Sequence, residues 1–380
     1  MNEELRAPDP AGSAEREPLL IYGSPELSAD LFHAIPAGII DPFLYVESGG
    51  RRAATVSVLD ADKVRALGIE IMDPSSLGRD ELLRAGRPND EIDAEVALRA
   101  CRVLEVERAA VPFEFPLGVA DHLRAGGLEL RADPERFAAR RRRKTAAQLE
   151  GIRRAQRAAD AAMRVAAGMI RGGGASSEEV RAAMQAVCDE HGCELPDDVI
   201  VSHGAQAAVG HEAGHGELVA GEPVVVDIWP RDKASRCWAD MTRTFVAAGG
   251  EPPEELARYW ELTRASLERI YPMVRAGADC RAIYAASCEP FHEAGLPTQL
   301  TKEPGTVLEE GYFHGLGHGV GLEVHERPNL GRSPDTLRAG DVITLEPGCY
   351  RRGFGGCRLE DLVVVGEDGC ETLTDFPYDL

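Results

Sequence analysis

Hydrophobic and polar residues along this chain follow two alternating periods, which predict its first structural elements. Apolar residues are concentrated in short runs at 42–48 and 52–60, and such runs favour β-strands. At 79–86 and 90–105 apolar residues instead recur three and four positions apart, as on one face of an α-helix. The alternation predicts a small α/β domain over residues 19–140.

Segments of distinct composition bound this domain on both sides. Residues 1–18 are rich in Pro, Glu and Ala and have no periodicity, so we expect a mobile tail. The five basic residues from Arg140 to Lys144 follow a weakly helical segment and mark a domain boundary. A run of like charges in so acidic a chain is typical of a solvated linker, and we place the second domain at 144–380.

In the second domain, helical and extended segments succeed each other twice. A strongly helical segment at 145–170 precedes a second helix, whose start is marked by the capping pair Ser176 and Glu179. Extended runs follow, and then two more helical segments, at 252–274 and 279–295, precede further strands. The repeated order of two helices and strands suggests an internal duplication, visible in the pattern but not in residue identity.

Composition narrows the classes of function. At a formal charge of −22, the chain lacks the excess of Lys and Arg with which proteins bind nucleic acids or anionic membranes. Its nine cysteines form no CxxC pair, and the N-terminus has neither a basic nor an apolar signal region. No apolar run approaches the roughly 20 residues that span a bilayer. We therefore expect a cytoplasmic protein without a nucleic-acid or membrane partner.

Five residues of the second domain can bind a metal and lie at the ends or in the middle of short apolar runs. They are Asp227, Asp240, His318, Glu346 and Glu360. A single acidic residue at a strand end is commonly a turn former or a cap. Several carboxylates on neighbouring strands would repel each other unless a cation held them together, so this set predicts a dinuclear metal site.

The first two candidates, Asp227 and Asp240, are 13 positions apart, and a hairpin between them would bring both carboxylates to one face of a sheet. Four oxygen ligands with one imidazole suit Mn²⁺, Co²⁺, Fe²⁺ or Zn²⁺ better than a thiolate-bound structural zinc. Two such cations about 3.5–4 Å apart share bridging carboxylates and hold a hydroxide between them that attacks at neutral pH. The pattern therefore predicts hydrolysis.

A glycine-rich segment supplies three histidines, His314, His318 and His325. The glycines between His314 and His318 argue against a zinc-binding helix, because each would weaken it. The segment also lacks the strand and helix that flank a dinucleotide-binding loop. Glycines beside a histidine are better explained by a close approach of backbone and substrate to a metal.

These residues, in their sequence contexts, resemble the ligand set of a known family. The motifs HGLGH, EVHE, LEPG and RLED follow the two aspartates in order. They are similar to those of the pita-bread metallopeptidases, which include prolidase (Xaa-Pro dipeptidase), aminopeptidase P and methionine aminopeptidase. The resemblance covers residues 144–380 and implies an α+β pita-bread catalytic domain with an internal pseudo-twofold repeat. The N-terminal α/β domain is similar to a creatinase-like domain, which favours prolidase or aminopeptidase P.

The resemblance also implies a role for each ligand. Asp227 would bind one metal ion, and Asp240 and Glu360 would bridge both. His318 and Glu346 would complete the second site, where Glu346 would also shuttle the proton of the attacking water. Two divalent ions are implied, with Mn²⁺ preferred and Co²⁺, Zn²⁺ or Fe²⁺ as alternatives.

On the substrate side, the resemblance implies four further residues. His325 would stabilise the tetrahedral intermediate at the scissile carbonyl, as an oxyanion donor does. His211 and His314 would contact the substrate. Arg332 would bind the free carboxylate of a dipeptide and so measure substrate length, although an arginine in such a loop is as commonly a surface residue.

Other residues near this set have supporting or alternative roles. His203 and His215 are alternatives to His211 for the contact with substrate. Arg358 and Thr242, next to or near ligands in the sequence, would orient those ligands rather than bind metal.

The spacing of the two aspartates departs from the family pattern, since the loop between them is two residues longer here. Because the side chains of a strand alternate with a period of two, such an insertion keeps both carboxylates on one face. We expect an intact site with a reshaped entrance.

The predicted function is hydrolysis of an Xaa-Pro peptide bond, in dipeptides or at peptide N-termini, by a metallopeptidase that the resemblance implies to be a homodimer. One alternative is a creatinase-like C–N hydrolase, and creatinases lack the full ligand set. Another is a metal-free pita-bread module that binds a peptide or a protein without turnover. The five intact ligands argue against both.

Overall fold

The computed structural model describes residues 17–249 and 251–380, so the predicted tail at 1–18 lies almost wholly outside the described residues. The chain divides into two compact units between Arg141 and Arg142. This division falls inside the basic run at 140–144. Among the described residues, no helix is both long enough and apolar enough to cross a membrane.

The first unit is a mixed sheet with helices on both faces, as the α/β pattern predicts. Its described strands are β1 (Leu19–Gly23), β2 (Phe43–Ser48), β3 (Arg51–Ala54), β4 (Glu70–Ile71), β5 (Arg108–Val111) and β6 (Glu129–Ala132). Its described helices are α1 (Ala29–Ala34), α2 (Ala61–Arg65), α3 (Arg79–Arg84), α4 (Asn89–Val103), α5 (Leu117–Ala125) and α6 (Pro134–Arg142). The strand order is β4-β3-β2-β1-β5-β6, in which β2 alone runs antiparallel to its neighbours.

Side chains of this sheet alternate between two hydrophobic cores. Leu20 packs in the core on one face and Leu19 in the core on the other. Burial on both faces explains why these strands read as nearly continuous apolar runs. The strand predicted at 52–60 ends at Ala54, however, because Val58 and Leu59 lie in the exposed turn before α2.

The second unit combines two pairs of helices with short strands. Its described helices are α7 (Ala146–Gly172), α8 (Ser177–Glu190), α9 (Glu254–Ile270) and α10 (Cys280–Glu293), with short 3₁₀ turns at Gly204–Ala208, Ala247–Gly249 and Tyr271–Met273. The strands before α9 are β7 (Cys193–Glu194), β8 (Ile200–His203), β9 (Pro223–Ile228), β10 (Arg231–Asp232) and β11 (Met241–Val246). Those after α10 are β12 (Glu310–Gly311), β13 (Gly317–Gly319), β14 (Glu326–Leu330), β15 (Val342–Leu345), β16 (Gly348–Arg351), β17 (Gly355–Arg358), β18 (Asp361–Val365) and β19 (Cys370–Thr372). The predicted helices are all present, and the pseudo-twofold repeat stays a prediction.

Local sequence explains the ends of the long helices. Thr145 and Gln148 form a reciprocal capping box at the start of α7, and Ser176 and Glu179 form another at the start of α8. Helix α7 ends at Gly172 and is capped by Gly173, whose φ of 72° is one that glycine adopts without strain. Both helices therefore begin where the sequence predicts, and α7 ends two residues after the predicted segment 145–170.

Two sheets of the second unit carry the candidate ligands. The first has the order β11-β9-β8, and the second has the order β14-β13-β15-β18-β19. Neighbouring strands in both are antiparallel. The backbone N–H of Glu360 donates to the carbonyl of Thr242 at 3.0 Å, which links the first sheet to the segment that leads into β18.

The basic run is not a solvated linker, and that prediction was wrong. Arg142 donates to Asp341 from Nε at 2.8 Å, with side chains only 6% and 1% exposed. Lys144 donates from Nζ to Glu326 at 2.7 Å, with side chains 5% and 2% exposed. A run of like charges looks solvated in the sequence because the acidic partners are almost 200 positions away.

Candidate metal centre

Strands β9 and β11 bring the two candidate aspartates together. Asp227 of β9 is paired in register with Thr242 of β11, so both side chains point to the same face. Asp240 precedes β11 and lies two residues before Thr242, which places it on that face by the alternation of strand side chains. The longer loop therefore leaves the facing of the two carboxylates as expected.

The other three candidates come from the second sheet and its connections. His318 lies on β13, Glu346 directly follows β15, and Glu360 lies between β17 and β18. The backbone fixes each of them: the N–H of His318 donates to Thr344 Oγ1 at 3.1 Å, and the N–H of Glu346 donates to the carbonyl of Leu316 at 2.7 Å.

The candidate side chains converge on one point. Asp240, His318 and Glu360 each offer a ligand atom, and these atoms all lie within 4.8 Å of one another. Glu346 belongs to the same cluster, because its Oε1 is 3.5 Å from His318 Nε2, and Asp240 Oδ2 is 3.7 Å from the same nitrogen. Asp227 is close enough to raise the pKa of Asp240, Glu346 and Glu360, after the larger effect of burial on each.

Crowded carboxylates make this site unfavourable without a counter-charge. Burial raises the pKa of Asp240 and Glu360 well above the ordinary range, and neighbouring carboxylates raise both further. Burial likewise raises the pKa of Glu346 to about 8, although Arg358 opposes this. A bound cation would remove the repulsion that these shifts record.

The donor atoms fit a metal. Asp227 Oδ1 is buried and has no hydrogen-bond partner among the described residues, so one ligand position is left open. His318 Nδ1 lies 3.2 Å from the carbonyl of Gly319, which can only accept, so the proton is on Nδ1 and Nε2 faces the carboxylates as a bare lone pair. Burial and His325 lower the pKa of His318 to about 4, which keeps the imidazole neutral.

Two residues hold the carboxylate ligands, but with partners other than those the sequence order suggests. Arg358 precedes Glu360 in the chain, yet it donates from Nη2 to Asp227 Oδ2 at 2.6 Å. Thr242 is near Asp240 in the chain, yet its hydroxyl donates to Glu360 Oε2 at 2.7 Å. Such partners fix the orientation of ligands.

Sequence reasoning missed Tyr350, which lies between the ligands and the substrate side. Its hydroxyl accepts from Arg358 Nη1 at 3.1 Å and is 2.9 Å from His314 Nε2. Burial and Arg358 lower the pKa of His314 to about 3, and its Nδ1 is 2.8 Å from the carbonyl of Gly315. Neutral His314 therefore carries its proton on Nδ1 and accepts from Tyr350, so both ring nitrogens already have protein partners. No signal in the sequence distinguishes Tyr350 from the other tyrosines.

The glycines beside His318 serve backbone packing rather than access to a metal. A Cβ on Gly317 would lie 2.1 Å from the carbonyl oxygen of Thr344, and one on Gly319 would lie 2.3 Å from that of Arg327. Only glycine permits β13 to approach its neighbours this closely. The prediction that this segment is not a helix is confirmed, but the reason given for its glycines was wrong at these two positions.

On the substrate side, the histidine rings lie near the cluster. His325 is exposed, and its ring centroid is 4.3 Å from that of His318 in an edge-to-face arrangement. His211 is exposed in a turn after the 3₁₀ helix. Desolvation by the surrounding protein atoms lowers the pKa of His314 and, although its side chain is partly open to solvent, of His325, and repulsion from His211 contributes to both shifts.

The remaining candidates differ in their surroundings. His203 Nδ1 is 2.8 Å from Glu222, and its Nε2 is 3.2 Å from the carbonyl of His215, so both nitrogens have partners within the protein. Arg332 lies in an exposed bend after β14, and its charge lowers the pKa of Tyr284, against the larger effect of burial. Because the Tyr284 hydroxyl donates to the carbonyl of His314, Arg332 is placed near the histidine side of the site.

Comparison with known proteins identifies the family. The model described as Metallopeptidase family M24 matches residues 150–367, which is more than half of the chain. The chain belongs to this family. Among curated relatives of this M24 chain, the Xaa-Pro dipeptidase of Pyrococcus furiosus is 31% identical over 234 residues, 61% of this chain. The matched stretch spans 62% of the length of that relative.

Solved structures agree on the fold of this M24 chain. The Xaa-Pro dipeptidase from Bacillus anthracis superposes with a TM-score of 0.79 at 23% identity and covers 97% of this chain and 95% of its own. The X-Pro aminopeptidase from Thermotoga maritima superposes with a TM-score of 0.74 at 22% identity and covers 96% and 95%. At these identities the likeness shows the fold alone, and it is shared by a dipeptidase and an aminopeptidase.

Proposed function

We propose that this M24 chain is a metallopeptidase that hydrolyses the Xaa-Pro bond, in dipeptides or at peptide N-termini, with two divalent cations. The observation that carries the proposal is the convergence of Asp240, His318 and Glu360 within 4.8 Å, with Glu346 3.5 Å from the same imidazole. The relative from Pyrococcus furiosus, an Xaa-Pro dipeptidase, supports the substrate class.

In this proposal, five side chains hold the cations. Asp227 would bind one ion, Asp240 and Glu360 would serve both, and His318, through its bare Nε2, would bind the second together with Glu346. When bound, two divalent cations would lower the pKa of a water molecule and polarise the scissile carbonyl. The carboxylate of Glu346 would accept the proton of the attacking water and deliver it to the leaving nitrogen.

Other side chains bind and orient the peptide. His325 donates a hydrogen bond to the carbonyl oxygen as negative charge develops on it. His211, which is close enough to His325 to lower its pKa, contacts the substrate in preference to His203, whose nitrogens are both engaged. His314 contributes its ring face, and Arg332 binds the free carboxylate of a dipeptide.

The proposal extends to the ions, assembly and compartment. Oxygen-rich ligands with one imidazole favour Mn²⁺, with Co²⁺, Zn²⁺ or Fe²⁺ as alternatives. All nine cysteines are free and eight are buried, which suits a reducing cytoplasm. We propose a homodimer, to be tested by sedimentation of the purified protein.

The experiment is an assay of the purified full chain with Mn²⁺ on Ala-Pro, Ala-Pro-Ala and Ala-Ala, with bound metal measured in the same sample. We expect release of alanine from one or both proline peptides, none from Ala-Ala, and loss of activity after treatment with a chelator. Metal-loaded protein that releases nothing from either proline peptide would contradict the proposed function.

A further inference from the structure

The turn that carries His325 is held by side chains that the proposed mechanism does not use. This turn joins β13 to β14 and spans residues 320–325. Glu326, the next residue, folds its carboxylate back over the turn: Oε1 accepts from the N–H of Leu322 at 3.0 Å and from that of Glu323 at 3.2 Å. One carboxylate oxygen thus fixes two consecutive peptide groups just before His325.

Lys144 holds that carboxylate in place from the other side. Its Nζ donates to Glu326 Oε2 at 2.7 Å, and the two side chains are only 5% and 2% exposed. A buried charge without a partner is strongly unfavourable, so each member requires the other. With Lys144 bound to Oε2, Oε1 is left to accept from the two backbone amides.

The ion pair packs directly on the backbone of the turn. A Cβ on Gly321 would lie 2.4 Å from Lys144 Nζ and 2.6 Å from Glu326 Oε2. Gly321 has no positive φ, so the position requires glycine for space and not for conformation. The sequence places Gly321 near the histidines. It does not indicate that Lys144, 177 positions earlier, occupies the space that a side chain at 321 would need.

Trp238 holds the same turn by donating hydrogen bonds to two carbonyl groups of the turn. Its backbone N–H donates to the carbonyl of Gly321 at 2.9 Å, and its indole N–H donates to that of Leu322 at 3.2 Å. Trp238 lies in the loop between Asp227 and Asp240, the loop that is two residues longer than the family pattern. That loop therefore contacts the turn of His325.

We propose that Lys144, Glu326 and Trp238, together the His325 clamp, are positioning residues that hold the His325 ring beside the ligand His318. The clamp fixes both the N–H groups and the carbonyl groups of the turn, whereas His325 itself is exposed. The inference rests on the proposed function, because it assigns the clamp to the step in which His325 stabilises developing charge. Loss of the clamp should therefore lower kcat while leaving KM and metal content nearly unchanged.

The test is kinetics on the full, Mn²⁺-loaded chain. We expect Lys144→Met to lower kcat about tenfold or more, in the range for partners that orient a functional group. Lys144→Arg, which restores the charge, should recover most of that loss. Trp238→Phe, which removes the indole N–H and shortens the ring but keeps the backbone N–H bond to Gly321, should cause a smaller loss.

A neighbouring ion pair supplies the matched control. Arg142 and Asp341 are about as buried as the clamp pair, and their side chains bond to each other, to the carbonyl of Thr336 and to the N–H of Arg338, all outside the turn. Arg142→Met should destabilise the chain to a similar extent and leave kcat of the folded fraction within about twofold. An equal fall of kcat in Arg142→Met and Lys144→Met would overturn the proposal, because general loss of stability would explain both.

A double-mutant cycle shows whether the clamp acts through His325. In a His325→Ala background, Lys144→Met should have almost no further effect on kcat, because residues that act as a unit are not additive. A full, additive loss in that background would overturn the proposal.

A readout without turnover separates this inference from the proposed function. Hydrogen exchange of peptides covering 320–325 should become at least about tenfold faster in Lys144→Met and stay unchanged in Arg142→Met, since only the former frees the Leu322 and Glu323 amides. If the wild-type chain hydrolyses no proline peptide, the proposed function fails, and unchanged exchange in Lys144→Met overturns the clamp independently.

Discussion

The proposed ligand side and the proposed substrate side of this site are built in different ways. Asp240 and Glu360 are 4% and 2% exposed and sit at strand ends within two antiparallel sheets. His211, His325 and Arg332 are all exposed and lie in turns or bends. The first group is fixed by sheet register, whereas the second is fixed only where other side chains hold its loops.

The difference follows from charge. Four carboxylates close together repel one another, so they need both a cation and rigid supports to remain in place. The substrate-side groups carry little mutual repulsion and must admit and release a peptide, so they can lie on loops. We expect substitutions on the ligand side to affect stability and metal content, and those on the substrate side to affect kinetics alone.

The largest effect should come from Arg243, which supports the ligand side from within. Its guanidinium is 1% exposed and donates to the carbonyl of Glu360 at 2.7 Å, to Asp361 at 2.9 Å and to the carbonyls of Phe376 and Pro377 at 2.8 and 3.1 Å. Arg243→Met would leave Asp361 as an uncompensated buried charge, so unfolding free energy should fall by about 3–5 kcal/mol. Urea unfolding measures this.

Arg332→Met is the control for that loss, because Arg332 is an exposed arginine on the substrate side. Its unfolding free energy should change by less than about 0.5 kcal/mol. Equal destabilisation by the two substitutions would remove the distinction between the two sides.

Next in size is the effect of a ligand substitution, Glu360→Gln. The amide retains the shape and can still accept from Thr242, but it is a far weaker ligand for a hard cation. Because partners that merely orient a ligand contribute about 10–100-fold, we expect activity and metal affinity to fall more than about 100-fold. Metal analysis after dialysis checks this, and Glu371→Gln, at an exposed glutamate, is the control.

A smaller effect is the pH dependence of the metal-free chain. Burial and Asp227 raise the pKa of Glu346 from 4.5 to about 8, so the folded chain keeps a proton that the unfolded chain has released. This stabilisation is complete below pH 4.5 and is lost as pH rises through 8. Between about pH 7 and 8.5, the Tm of metal-free protein should fall by about 3 °C.

The buried histidines do not contribute to the fall in Tm expected between about pH 7 and 8.5. The pKa values of His314 and His318 are lowered to about 3 and 4, so their contribution is lost only as pH falls toward those values. Metal-loaded protein should lack the fall in Tm, because the ligands are deprotonated when bound. The same slope with and without metal would show that Glu346 is not its cause.

The convergence of the proposed ligands could largely be predicted from the sequence, because these residues stand in short motifs and strand alternation fixes the face to which each side chain points. Asp227 and Asp240 illustrate this, since an even insertion preserves the face. The side chains that orient these carboxylates could not be predicted in the same way. Arg358 contacts Asp227, 131 positions earlier, and Thr242 contacts Glu360, 118 positions later.

The basic run at 140–144 is a second feature whose surroundings could not be predicted from the sequence. Composition assigns Arg142 and Lys144 to solvent, since they stand in a run of five basic residues. Their partners, Asp341 and Glu326, are brought to them only by the tertiary fold. Patterns in a single sequence indicate the period of an element and the face on which a side chain lies. They do not indicate which buried charges pair, because those contacts form only in the folded unit.

The smallest predicted effect concerns substrate length and Arg332. An exposed arginine–carboxylate pair contributes up to about 1 kcal/mol, so Arg332→Met should raise KM for Ala-Pro no more than about fivefold. KM for Ala-Pro-Ala should not change, because its carboxylate lies one residue farther from the scissile bond. Arg338→Met, at another exposed arginine, is the control. If both peptides respond equally, Arg332 does not measure length, and selection between dipeptides and longer peptides must come from another residue of the exposed substrate side.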